Sequence, residues 1–198
     1  MDSESPGIAL RDRRLLAENQ VFRIYFDHLE GAGGTEERNY LVVAPKIQSE
    51  NQATGVSVLP IKENKAGLLR LHRHAINAET WEAPRGFADK GESGLQAARR
   101  ELEEEAGLRA EPHDIQSLGF ITLEASLHTA RIHLYLVERR VPIRAFEPRE
   151  LGHHALQWFD LEEALAMVDR GEIHDPSTLI TLYHYKLRAH NSSVRDRL

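Results

Sequence analysis

The chain has 198 residues, 41% of them hydrophobic and 28% charged, with a formal net charge of −6 at pH 7. That is enough chain for one ordinary soluble domain with a small appendage, and the wrong sign of charge for a broad nucleic-acid-binding surface. It has no cysteine, which excludes disulfides, zinc-thiolate sites and cysteine nucleophiles. No long apolar run is present, and the first twenty residues lack the apolar stretch of a signal peptide, so a cytoplasmic protein without membrane anchoring is expected.

Residues 1–18 show no strong periodicity and read as an arm. From Gln20 to Leu29, aromatic and branched residues alternate with polar ones, and Arg38 to Val43 does the same beyond the glycine-rich GAGGTEE. The pair predicts a hairpin, and hence a small antiparallel sheet over residues 1–48, ahead of a main domain over 49–198. Two more strands follow, Thr54 to Ile61 and Gly67 to His74, separated by the polar KENKA. Trp81 to Arg85 comes next, and Pro84, which has no N–H for a ladder, should end that strand.

Gly86 to Leu108 reads GFADKGESGLQAARRELEEEAGL. Leu95, Ala98, Leu102 and Ala106 recur at helical spacing, so one stripe of a helix faces a core. On the charged face Glu101 and Glu105 stand four apart with Glu104 beside them, their Cβ atoms about 5–6 Å from one another. Three carboxylates so placed suit hard, oxygen-seeking Mg²⁺, with Mn²⁺ as a substitute. Arg100, one turn before Glu104, is placed to hold that carboxylate, and Gly86 and Gly91 let backbone approach an oxyanion or metal closely. A solvated glutamate-rich helix would also tolerate these charges, because like pairs at i,i+4 cost only about 0.2–0.5 kcal/mol. Spacing decides between the two. Gly86, five residues, Glu92, seven residues, Arg100-Glu101-Leu102, one residue, Glu104-Glu105, one residue and Gly107-Leu108 resemble the complete box of the Nudix hydrolases. A chance match at a given start falls below roughly one in 10⁸.

Beyond the box, Ile115 to Leu123 and Arg131 to Glu138 read as paired strands joined through EASLHTA. Val141 to Gly152 reads as a loop in which prolines and a glycine bracket Glu147 and Glu150, carboxylates able to complete a metal site or accept a proton. His154 to Phe159 is a short strand, and Asp160 with Glu163 suggests a capping box opening a helix that runs through Val168 and stops near Gly171. Asp175-Pro176 opens a closing helix whose expected apolar face is Leu179, Leu182, Tyr183 and Leu187; the polar tail after it should fray. Of the eleven histidines, His72 and His74 lack a third ligand nearby, and His153 and His154 read as surface or half-buried. None is assigned to metal.

The resemblance implies more than these readings. The fold it implies is α+β, the Nudix α/β/α sandwich with a central mixed β-sheet, preceded here by a small N-terminal antiparallel β-sheet. In the family such a box holds Mg²⁺ on a diphosphate, which implies Glu101, Glu104, Glu105 and the Arg85 carbonyl as metal ligands, joined by Glu150. Catalytic roles then fall to Glu104, Glu105 and Glu150, with Arg100 orienting Glu104 or Glu105. Arg73 stands where related ADP-ribose hydrolases place a phosphate-binding arginine, with Arg38 and Arg70 as weaker candidates. The sugar-diphosphate branch exchanges its N-terminal sheet across a homodimer. The WEAPRG lead-in and the GEIHDPSTLITL helix are similar to hydrolases of ADP-ribose and ADP compounds, implying cleavage of ADP-ribose or a related ADP-sugar to AMP and a sugar phosphate. Ala125 departs from that branch, which often has proline there. GDP-mannose, diadenosine polyphosphates and NADH are the alternative substrates. A non-catalytic nucleotide sensor is the alternative from another class, disfavoured because every acidic box position is retained.

Overall fold

The computed structural model describes residues 7–47, 53–148 and 150–195, with side chains as far as residue 188. Strands β1 (Ile8–Glu18), β2 (Phe22–Gly31) and β3 (Glu36–Pro45) form a three-stranded antiparallel sheet in that order. From Ile8 to Glu18 the expected arm is therefore a strand, and its first six residues lie outside the described residues. All of β1 is exposed, so no buried face imposed a period on its residues. Its pairing with β2 is pinned by the fork of Arg13 on Asp27, at 2.8 and 2.6 Å, across the strands. The domain boundary expected between residues 48 and 49 lies outside the described residues.

Next, β4 (Gly55–Lys62) and β5 (Lys65–Arg73) form a hairpin whose two turn residues, Glu63 and Asn64, have φ of 50° and 64°, as a tight primed turn requires. These strands pair with each other only beside the turn, at Ile61↔Ala66 and Lys62↔Lys65. Beyond it they part, and β6 (Ala78–Glu82) pairs with β5 while β7 (Arg85–Phe87) pairs with β4. Pro84 separates β6 from β7 as expected, and its carbonyl accepts from the Val58 N–H at 2.8 Å. The opening between β4 and β5 positions the site described below.

The remaining elements are α1 (Gly94–Ala106), β8 (Leu108–Arg109), β9 (Ile115–Ile121), β10 (Ile132–Val137), β11 (Val141–Pro142), β12 (His153–Asp160), α2 (Leu161–Asp169) and α3 (Pro176–Arg195). The main sheet runs β12-β5-β4-β10-β9 and is mixed, because β10 lies parallel to β4 while its other pairings are antiparallel. On one face, Ala97, Ala98, Leu102 and Ala106 of α1 pack against Val56, Val58, Tyr135 and Val137. On the other, Leu161, Leu165 and Met167 of α2 and Leu182 and Tyr185 of α3 cover Leu59, Leu68 and Leu136. This is the expected α/β/α sandwich.

Three local expectations change. Asp160 makes no side-chain cap, because its carboxylate takes Lys65 Nζ at 2.8 Å; the reciprocal capping box belongs to Ser93 and Gln96 at the start of α1. The buried line of α3 is Thr178, Thr181, Leu182 and Tyr185, whereas Tyr183 and Leu187 are exposed. Polar residues serve on that line because the Thr178 and Thr181 hydroxyls donate to the Asp175 carboxylate and the Ser177 carbonyl. The helix also continues through Arg195, into the stretch expected to fray, while 196–198 lie outside the described residues.

The N-terminal sheet docks on the main domain through the connection between β9 and β10. Val43 N–H donates to the Leu127 carbonyl at 2.8 Å, Thr129 N–H donates back to the Val43 carbonyl at 3.1 Å, and Tyr40 Oη donates to the Ser126 carbonyl at 2.6 Å. Phe22 meets Phe87 of β7 edge to face at 5.4 Å. Among the described residues no helix is long and apolar enough to cross a membrane.

Candidate active site

The site is made where α1 passes under β7. The capping box at Ser93 fixes one end of α1, and Gly107, at φ 66°, turns the chain out at the other. On the helix face the sequence marks as charged, Glu101 and Glu105 are only 4% and 5% exposed. Gly86 explains the burial. Its backbone crosses so close that a Cβ there would lie 2.0 Å from Glu101 Oε1, a contact only glycine avoids. Arg85 N–H next to it donates to Glu105 Oε2 at 2.6 Å.

Burial raises the Glu101 carboxyl to about 7, more than Arg100 lowers it. It drives Glu105 to about 9, against the Arg85 N–H, with Glu101 and Glu150 adding repulsion. Two carboxylates thus sit in a low-dielectric setting short of positive charge, which is the deficit a divalent cation fills. Oxygen donors of this kind fit Mg²⁺ or Mn²⁺.

Arg100 is the hub that aims the helix carboxylates. Its Nη1 donates to Glu101 Oε1 at 2.7 Å and Glu104 Oε2 at 3.0 Å; Nε and Nη2 grip Glu92 at 3.1 and 3.0 Å; Nη2 also reaches the Phe87 carbonyl at 2.8 Å. It therefore orients Glu101 and Glu104 and does not touch Glu105, the alternative expected partner. Glu104 remains more than half exposed at the mouth.

Above these groups lies a cleft of about 260 Å³ lined by Arg73, Arg85, Glu101, Glu105 and Glu150, with Val56, Phe87 and Ile132 as its apolar wall. An open depression among Arg109, Glu111, Glu138 and Arg140 is larger, at about 360 Å³, but none of its carboxylates is buried. Arg73 enters from the end of β5 and forks onto buried Glu82 at 3.0 and 2.5 Å. The Arg85 guanidinium bonds Asp175, whose other oxygen accepts from Ser177 Oγ at 2.5 Å and from the Thr178 N–H and hydroxyl at 2.8 Å each. Burial works to raise the Asp175 carboxyl, but Arg85 and these hydrogen bonds outweigh it and hold it below its ordinary value. The N-terminus of α3 is thereby tied to the strand that carries Arg85.

Glu150 reaches the cleft from the loop before β12 with its carboxylate 60% exposed, while Glu147 does not line the cleft. The neighbouring histidine overturns an expectation. His153 is buried, with Nε2 3.5 Å from Glu105 Oε1 and 3.8 Å from Glu150 Oε2. One donor atom from each of Glu105, Glu150 and His153 lies within 4.8 Å of the others. A strand begun at His154 left His153 outside the ladder, but His153 pairs with buried Leu71 and faces inward; His154 is exposed beside Glu79 at 3.3 Å. Arg70 pairs with Glu79 at 3.1 Å and Arg38 with Glu36 at 2.7 Å, both away from the cleft lining. Glu82 and Asp175, which hold the two arginines, gave no functional signal in the sequence beyond the helix cap at Asp175.

The family model of the NUDIX domain matches residues 51–179. A CMP-5'-(N-acetyl-N-hydroxy-3-aminopropyl)phosphonate hydrolase of Streptomyces rubellomurinus is 24% identical over 178 residues, 87% of this chain and 79% of the relative. An ADP-ribose pyrophosphatase of Bacillus subtilis is 24% identical over 186 residues, 89% of this chain and 94% of the relative. The crystal structure of an ADP compounds hydrolase superposes with a TM-score of 0.77 over 96% of this chain and 98% of its own, at 18% identity, a likeness of fold.

Proposed function

The chain belongs to the NUDIX domain family and is a hydrolase of that family, and on that premise we propose that it is a Mg²⁺-dependent diphosphatase of nucleoside diphosphate derivatives. The observation that carries this reading is the pair of buried carboxylates, Glu101 and Glu105, facing a cleft that also holds Arg73 and Glu150. Glu101, Glu104 and Glu105 would hold divalent cation with the Arg85 carbonyl, at one position or two, and Glu150 would join them. When bound, the ion lowers the pKa of water and neutralises charge on the bridging and leaving oxygens of the diphosphate. Arg100 keeps Glu101 and Glu104 aimed through the reaction. Glu150, the most solvent-open carboxylate of the cleft lining, takes the proton as a water oxygen attacks one phosphorus and the bridging P–O bond breaks. Arg73 binds a non-bridging phosphate oxygen by turning one N–H away from Glu82; neither Arg70 nor Arg38 faces the cleft to do so.

ADP-ribose or a related ADP-sugar, yielding AMP and a sugar phosphate, is the substrate class we favour. The names of the relatives support a nucleotide joined to a second group, although one names CMP and the other ADP-ribose. GDP-mannose, diadenosine polyphosphates and NADH are the competing substrates. We also propose that the N-terminal region, residues 1–48, serves a cytoplasmic homodimer through its sheet of β1, β2 and β3: Ile8, Leu10 and Leu15 of β1 are each more than half exposed. Incubating the protein with ADP-ribose, ADP-glucose, GDP-mannose and NADH, with and without Mg²⁺, tests the function. AMP released from the ADP-sugars only with metal supports it, whereas tight nucleotide binding without turnover of any would place the chain among sensors.

A further inference from the structure

We infer that His153 is a metal ligand, so that Glu105, Glu150 and His153 form a mixed nitrogen and oxygen site beside the all-oxygen pair Glu101 and Glu104. The inference rests on the reading of the cleft as a cation site. Its first support is separation. Ligands of one octahedral ion at about 2.1 Å stand about 3.0 Å apart when adjacent and about 4.2 Å when opposite. His153 Nε2 is 3.5 Å from Glu105 Oε1 and 3.8 Å from Glu150 Oε2, too long for good hydrogen bonds and close to the spacing around a shared ion.

The second support is enclosure. The His153 side chain is only 6% exposed, and its Nε2 lies nearest a carboxylate that is itself 3% exposed. The third is rigidity. The His72 N–H donates to the Gly152 carbonyl at 2.9 Å, and a Cβ on Gly152, at φ 88°, would meet the His72 carbonyl oxygen at 2.7 Å. The backbone that delivers His153 is thus locked against β5, whereas Glu150 rides on the exposed loop before it. A fixed nitrogen with a movable carboxylate lets the site close on an ion with little reorganisation.

Imidazole nitrogen suits Mn²⁺ and later divalent ions far better than Mg²⁺, so the two cation positions differ in preference. The His153 position takes an ion of the Mn²⁺ class. The Glu101 and Glu104 position accepts Mg²⁺.

Pulsed EPR of the full chain loaded with Mn²⁺ tests this directly, since a directly bound imidazole imprints ¹⁴N modulation on the manganese signal. That modulation is expected in the wild type and lost in His153→Gln. Calorimetric titration should show Mn²⁺ affinity falling about tenfold or more in the variant while Mg²⁺ affinity changes less than about twofold, with thermal melts checking the fold. Mn²⁺ bound to the wild type without ¹⁴N modulation, or modulation that persists in His153→Gln, overturns the assignment and leaves the cation cleft standing. Failure of the wild type to bind Mn²⁺ at all overturns both.

Discussion

On the proposed reading, Glu105 meets two demands that conflict until a cation arrives. It must sit against the Arg85 N–H and His153, out of water, and it must be ionised. Glu105→Gln keeps the shape and an acceptor for the Arg85 N–H but removes the charge. We expect turnover to fall at least about 100-fold in steady-state assays while the circular dichroism spectrum is unchanged. The same conflict sets a pH dependence. A carboxyl whose folded pKa is raised to about 9 leaves the native state holding a proton the unfolded chain has already lost, so metal-free stability falls as pH rises. Between about pH 7 and about pH 9 the loss from Glu105 is about 2 kcal/mol, or roughly 4–8 °C in Tm. Scanning calorimetry should show that slope in EDTA, and a much flatter one with saturating Mg²⁺ or in Glu105→Gln. At Arg100, lysine cannot reproduce a guanidinium that serves Glu92, Glu101, Glu104 and the Phe87 carbonyl at once. Arg100→Lys should weaken Mg²⁺ binding about 10- to 100-fold by calorimetric titration, with a smaller effect on Tm.

At the scale of elements, α1 was legible because two patterns coincide on it: an apolar stripe that packs on the sheet and acidic positions at fixed spacing. What spacing alone did not reveal is that β7 would fold over the acidic face, which depends on Gly86 meeting Glu101 from a different element. Gly86→Ala should displace the Glu101 carboxylate and cost more in metal affinity than in Tm, both measurable on one preparation. Leu102→Ala, which empties a fully buried position under the same helix, should do the reverse, lowering stability by about 2–5 kcal/mol in urea unfolding. The strands of the main sheet were readable from alternation and turn residues. Strand β1 was not, since its residues are all exposed; nor was His153, since the ladder that turns it inward begins one residue earlier than the apolar alternation shows.

For the whole molecule, the separation of the sheet into β4 with β7 and β5 with β6 is what brings Arg73, Arg85, Glu101, Glu105 and Glu150 to one cleft. Glu101 and Glu105 come from the box, which announces chemistry, whereas Arg73, Arg85 and Glu150 come from segments whose own pattern is structural. The three-stranded N-terminal sheet hangs on this framework by Val43, Tyr40 and Phe22 and leaves the apolar residues of β1 uncovered. If it joins two copies, paired Leu10→Glu and Leu15→Glu substitutions should halve the mass seen by sedimentation equilibrium without unfolding the main domain; a variant that stays dimeric removes β1 from the interface, and a monomeric wild type removes the dimer. The account as a whole depends on where divalent ions settle. Anomalous diffraction from crystals soaked in Mn²⁺ locates them without reference to substrate. Peaks within bonding distance of the Glu101 and Glu105 carboxylates are the result predicted; peaks confined to other carboxylates of the surface would contradict it.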